Sequence, residues 1–213
     1  MLSVTTDRAG AVVPNLVQAI QANRAYLSEI DGAIGDGDHG INMSKGFLAA
    51  SVAIAPGTAL GHALARLGET LMEGVGGSMG PLYGEFFSSM AKALGARTEV
   101  DAQAFSEMLA AAQGAIEELG GAKVGDKTLL DALVPARGAF DDARVAGLPF
   151  AGCLGRMVEA ARAGRDSTRD LVARVGRASR LGERSRGVLD AGATSCCLIL
   201  ETLAATFQQL LAE

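Results

Sequence analysis

The sequence predicts an all-α fold, an antiparallel helical bundle, from three observations. The 213-residue chain draws its apolar volume from Leu, Ala, Val, Ile and Met, since aromatics are only 4% of residues and Trp is absent. Ala and Leu are strong helix formers. Apolar residues recur at the i, i+3, i+4, i+7 spacing of one helix face along most of the chain. No segment shows the apolar–polar alternation, rich in β-branched residues, of a half-buried strand.

Taken in order, Val13, Leu16, Val17, Ile20 and Leu27 form one stripe and predict a first helix. Helices are then expected at about 40–54 and, through Leu60, Leu64, Leu67 and Leu71, in the sixties. One more is expected at about 82–95. Phe105, Met108, Leu109, Ala112, Ile116 and Leu119 mark the next, followed by one at about 127–141. Phe150, Cys153, Leu154, Met157, Val158 and Ala161 match the helical template closely. Cys196, Ile199, Leu200, Leu203, Phe207 and Leu210 close the chain. The total is about seven to nine amphipathic helices with short connections. No linker, charge block or internal repeat divides residues 1–213, so a single domain is expected.

Composition excludes some function classes. With 49% hydrophobic and 20% charged residues the chain is globular. A net charge of −5 gives no basic footprint for nucleic acid. There is no uninterrupted apolar run of about 18 residues, so no membrane span is expected. The N-terminus has no basic region leading into an apolar stretch, so no secretory signal is expected. Three cysteines, two of them adjacent, do not form a disulfide framework. A reduced, cytoplasmic protein is the simplest expectation.

The breaks between helices are of two kinds. Ala55-Pro56-Gly57, Ala96-Arg97-Thr98 and Gly147-Leu148-Pro149 are ordinary turns. Segments 31–40, 74–81, 120–128 and 187–195 are instead loaded with Gly, Asp and hydroxyl residues. In an up-and-down bundle, breaks of the same parity share an end, so these four can converge.

The first rich segment holds Asp31, Asp36 and Asp38 among glycines. Carboxylates crowded this closely repel, and a hard divalent cation relieves them. An EF-hand needs Glu at the twelfth loop position. Counting from each aspartate, that position is Asn42, Phe47 or Ala49. The EF-hand reading fails, and Mg²⁺ bridging a polyphosphate suits the set better. The competing reading is an acidic surface turn that caps the next helix. His39 stands beside these carboxylates, placed to orient a phosphate or a carboxylate, or to serve a structural role. His62 reads as solvent-facing or locally hydrogen-bonded.

Gly74–Pro81 is a second glycine-rich segment, with Pro81 suited to the first turn of a helix. Its amides suit an anion, but it is neither a Walker A loop nor a Rossmann loop. A tight helix crossing that needs small residues is the alternative. In Gly125–Asp131, Asp126 is a candidate N-cap, and Leu129 and Leu130 are candidate adenine contacts. Asp190 stands in capping position for the last helix. Eight arginines between 162 and 186 read mostly as a solvated, salt-bridged face, with one or two near Gly176 or Gly187 reaching phosphates.

These motifs together resemble the DhaL family, the nucleotide-binding (ADP/ATP) subunits of dihydroxyacetone kinases, over essentially the whole chain. The residues that carry the resemblance are Ile34–Gly40 with Asn42-Met43, Gly76–Gly84 and Gly125–Thr128. Gly176–Ser179, Leu181–Ser185 and Asp190–Ser195 complete the set. The resemblance implies an eight-helix, barrel-like bundle with the nucleotide at one end. It implies Asp31, Asp36 and Asp38 as Mg²⁺ ligands. It implies His39, Gly40, Ile41, Asn42, Ser78, Met79, Gly120, Leu129, Arg177, Asp190, Ala191 and Gly192 as nucleotide contacts. This chain then contributes no catalytic residue beyond positioning metal and ADP or ATP. The sugar, dihydroxyacetone or a related small ketose, sits on a separate DhaK-like subunit. One version of the family uses a DhaM-like phosphotransferase-system protein as phosphoryl donor, another exchanges ATP for ADP, and a homodimer is compatible with either. Met79 stands where many relatives carry a hydroxyl residue, and Ala191 where many carry Pro. Two other readings share the bundle: a fatty-acid-kinase-like domain, and a nucleotide sensor without kinase activity.

Overall fold

The computed structural model describes residues 2–213. The chain begins with a short strand, β1 (Ser3–Thr5), and a single helical turn, α1 (Thr6–Ala9). There follow α2 (Val12–Ala22), α3 (Arg24–Ile34), α4 (His39–Ala53), α5 (Leu60–Gly74) and α6 (Met79–Leu94). After β2 (Glu99–Asp101) come α7 (Ala102–Gly120), α8 (Leu130–Val145), α9 (Phe150–Ser167) and α10 (Ala191–Ala212). Between α9 and α10 the chain makes short 3-10 turns at Thr168–Asp170 and Arg177–Ser185, the second kinked at Gly182.

The all-α expectation holds, with two corrections. Ten α-helices form among the described residues, more than the number expected. One addition is the turn α1; the other comes from the first stripe, which breaks at Asn23 into α2 and α3. β1 and β2 also pair antiparallel, Val4 opposite Val100. Three residues are too few to show a period of two, which is why neither strand was legible.

Packing partners run from α2 to α4, α5, α6, α7, α8, α9 and α10, then back to α2, with α3 laid against α4 and α10. Inside, Phe105 on α7 meets Phe140, Phe150 and Phe207 at centroid distances of 5.2, 5.6 and 5.2 Å. A second aromatic group, Phe47, Phe86 and Phe87, joins α4 to α6. α10 is long and apolar enough by composition to cross a bilayer. Here its apolar residues, from Ala193 to Leu211, face the core. His62 is exposed, as expected.

Close approaches between helices set where the loops fall. α5 and α6 cross at Gly68 and Gly84, where a Cβ on Gly68 would lie 2.7 Å from the Gly84 carbonyl oxygen. Pro135 sits inside α8 and cannot donate to the carbonyl of Asp131. Gly164 of α9 nestles against that freed carbonyl, with no room for a side chain.

Candidate functional site

One end of the bundle opens into a cavity of about 430 Å³. All four chemically rich breaks converge there, as parity predicted, and a fifth segment, 175–178, joins them.

Asp31 lies in the last turn of α3, and Asp36 and Asp38 in the turn that follows. The three side chains can bring one oxygen each within 4.8 Å of one another. Gly35 permits this, because any Cβ there would strike the Asp31 carboxylate. Asp38 occupies the N-cap position of α4, yet its side chain makes no capping bond. Asp31 gives the helix start one long contact, accepting from the His39 N–H at 3.3 Å. Capping therefore does not account for three acids. A cluster of carboxylate oxygens is the donor set that Mg²⁺ or Ca²⁺ takes, so the residues present fit a hard divalent ion. The Arg177 guanidinium closes on Asp36 in an ion pair.

His39 is buried, and its Nε2 lies 2.9 Å from Ser195 Oγ, which in turn lies 2.6 Å from Tyr83 Oη. Burial lowers the imidazole to about 4, against the pull of Asp31, so it is neutral near pH 7. Burial raises the Tyr83 phenol. This polar chain fastens the acidic turn to α6 and α10.

Across the cavity, Gly76, Gly77 and Ser78 form the turn into α6. Gly77 needs its glycine, with φ +70°. Ser78 makes no side-chain cap, leaving the first amides of α6 uncapped. Pro81 sits in the first turn, as expected. Leu82, Ile116, Ala122, Leu129 and Leu130 supply an apolar wall. The fourth side is the start of α10. There Asp190 accepts from the Ala193 N–H at 2.6 Å, the cap that its position predicted.

Asp126 does not cap α8. Its carboxylate accepts from the Lys123 N–H at 2.9 Å, closing its own turn, and α8 starts four residues later. The helix-start role falls to buried Asp131, which accepts from Gly125 N at 2.5 Å and Thr128 N at 2.7 Å.

The sequence pattern described as the DAK2 domain matches residues 33–205. The chain belongs to the DAK2 domain family. It is 36% identical over 200 residues to the ADP-binding subunit DhaL of PEP-dependent dihydroxyacetone kinase 2 from Listeria innocua serovar 6a, covering 91% of each chain. It is 37% identical over 182 residues to the corresponding subunit of Escherichia coli K12, covering 84% of this chain and 86% of that one. Among solved structures it resembles the dihydroxyacetone kinase of C. freundii in complex with AMP-PNP and Mg²⁺. The TM-score is 0.65 at 26% identity, over 92% of this chain and 33% of that one.

In this DAK2 domain the cavity brings together twelve of the fifteen expected site residues: Asp31, Asp36, Asp38, His39, Ser78, Met79, Gly120, Leu129, Arg177, Asp190, Ala191 and Gly192. Gly40, Ile41 and Asn42 are not among its lining residues. Gly40 is instead pressed against the Arg24 carbonyl of α3, and Ile41 is exposed. Sequence reasoning missed Ile34, Tyr83, Ile116 and Lys127. Ile116 reads as an ordinary stripe residue, and Ile34 and Tyr83 stand inside the Ile34–Gly40 and Gly76–Gly84 motifs without a role of their own. Lys127 offers one signal, its place in a loop rich in Gly and Asp, and that does not distinguish it from a surface lysine.

Proposed function

We propose that this DAK2 domain is the nucleotide-binding subunit of a kinase for dihydroxyacetone or a related small ketose, working with a partner that holds the sugar. The observation that carries this reading is one cavity with two unlike sides. One side gathers three carboxylates, an uncapped helix start and a guanidinium; the other is aliphatic. A nucleotide has the same division between polyphosphate and base.

Asp31, Asp36 and Asp38 would hold Mg²⁺, whose charge offsets that of the phosphate oxygens. Leu82, Ile116, Leu129 and Leu130 would enclose the base and exclude water from it. The amides of 77–79 and Arg177 would hold phosphate oxygens, the first by backbone N–H and the second by its planar fork. A Cβ at Gly76 would meet nothing within 4 Å. Internal packing therefore does not require glycine there, and the small residue leaves room for close approach of a phosphate. His39, neutral and tethered to Ser195, would present its remaining ring nitrogen without adding charge. The chain's contribution is orientation and electrostatics, and the acceptor hydroxyl comes with the ketose-binding, DhaK-like subunit. All of residues 1–213 act as one domain in this reading, supported by a single main core that spans α2 to α10. Three buried, free thiols suit a reducing, cytoplasmic setting.

Titration calorimetry tests the site. Mg-ADP or Mg-ATP is expected to bind, with binding lost in EDTA. Asp36→Asn is expected to weaken it by more than about tenfold, through loss of one charged ligand. Binding by the wild type that ignores both EDTA and Asp36→Asn would remove the metal from the proposal. Phosphorylation of ADP-loaded protein by a DhaM-like phosphotransferase-system donor, set against exchange with free ATP, separates the two forms of the reaction.

A further inference from the structure

Lys127 is 98% shielded from solvent, and among the described residues no carboxylate lies in ion-pair range of it. Its Nζ donates instead to four backbone carbonyls: Val188 at 2.6 Å, Ser185 at 2.7 Å, Thr168 at 2.8 Å and Leu171 at 3.3 Å. An ammonium has three N–H bonds, and the three short contacts use all of them. None remains for a phosphate, although Lys127 borders the cavity. Its backbone has φ +64°, the one non-glycine residue with positive φ among those described. Asp131 secures that conformation by binding the amides of Gly125 and Thr128 on either side.

The four carbonyls belong to the two stems of one segment. Thr168 and Leu171 lie where it leaves α9; Ser185 and Val188 lie where it returns to α10. Between them, Val175, Gly176, Arg177 and Ala178 form a wall of the cavity. A few other bonds also hold the stems: Gly187 N to the Arg169 carbonyl at 2.7 Å, Ala173 N to Ser185 Oγ at 2.9 Å, Asp190 N to Thr168 Oγ1 at 3.0 Å, Arg174 N to the Asp126 carbonyl at 3.1 Å, and an Arg186 contact with the Asp170 carbonyl. We propose that Lys127 is a positioning residue, a covalently tethered cation that clamps both stems of 168–188 and so holds Arg177 and its neighbours as one wall of the nucleotide site. It acts through that segment and does not touch the nucleotide's phosphates.

The ligand readout rests on the nucleotide reading above; the proteolytic readout does not, so the two can fail separately. Trypsin suits the segment, which presents Arg174, Arg177, Arg180 and Arg184 on its surface. In Lys127→Met, cleavage after these arginines is expected to accelerate at least about tenfold while far-UV circular dichroism stays unchanged. Affinity for Mg-ADP is expected to fall at least about tenfold, about 1.4 kcal/mol. In Lys127→Ala, n-propylammonium is expected to restore both protease resistance and affinity, and neutral n-propanol neither. Rescue by the cation alone separates a clamp from mere filling of space. Wild-type protease resistance in Lys127→Met would overturn the proposal. So would global loss of helicity, since the clamp is assigned to this segment alone. Restored affinity in Lys127→Arg without restored protease resistance would also overturn it, and would make residue 127 a direct phosphate ligand.

Discussion

Asp190 shows how a single carboxyl at this site meets opposed demands. Burial pushes it up to about 7; the Ala193 N–H and Lys127 pull it down, while Asp131 and Asp31 push it further up. An unfolded Asp titrates near 3.9, so between about pH 4 and pH 7 the native protein holds the extra proton. Stability from this group is therefore fully present below about pH 4 and is lost as pH rises toward 7. The loss is on the order of 4 kcal/mol, since each tenfold change in proton affinity is worth about 1.4 kcal/mol. Asp190→Asn keeps an acceptor for the α10 cap but cannot titrate. Urea midpoints measured from about pH 5 to pH 7 should fall more steeply in the wild type than in Asp190→Asn. Parallel slopes would show that burial does not hold the proton on Asp190. The same residue explains why the site was only partly legible: its capping role follows from a pattern, but its protonation depends on burial by the tertiary fold and on charges brought in by Lys127, α8 and α3.

At the scale of elements, the α5–α6 crossing makes a sharper demand than helix propensity. Ala in place of Gly68 would gain up to ~1 kcal/mol of helix propensity. Its Cβ, however, would crowd the Gly84 carbonyl and the Ser88 amide, at 2.7 and 2.9 Å, and these are backbone atoms that cannot swing aside. Overpacking of this kind costs about 1–3 kcal/mol, so Gly68→Ala should lower the urea midpoint. An unchanged or raised midpoint would mean that the helices separate freely there. The crossing also settles what was left open for Gly74–Pro81: Gly80 abuts the Val75 carbonyl, whereas Gly76 and Gly77 have open space beside them. The glycines divide between packing and the cavity, a division that spacing alone could not supply. Long stripes such as Leu60–Leu71 were legible because burial on one face imposes the helical period. The break at Asn23 was not, because α2 and α3 keep apolar residues in phase across it. The start of α8 was misplaced because Asp126 and Asp131 are both good cap residues, and only tertiary contacts show that Asp131 organises the loop.

For the molecule as a whole, the aromatic group and the cavity fall in different parts of the bundle, and this allows stability and binding to be varied separately. Phe207 touches Phe105 and Phe150, at 5.2 and 5.7 Å between centroids, and does not line the cavity. Truncating a buried Phe costs about 3–5 kcal/mol. In a chain of this length each kcal/mol moves Tm by about 2–4 °C, so Phe207→Ala should melt roughly 6–20 °C lower. A ligand at 100 times its Kd adds about 2.7 kcal/mol to the native state. Sites that share no partners contribute additively. Saturating Mg-ADP should therefore stabilise Phe207→Ala by the same free energy as the wild type, measured by urea denaturation with and without ligand. A smaller increment in the variant would show that the core transmits strain to the cavity. That outcome would matter for the 168–188 segment in particular, because its stems leave α9 and enter α10, the helices that carry Phe150 and Phe207. Equal increments would place control of the wall in the local ties around Lys127 and not in the distant core.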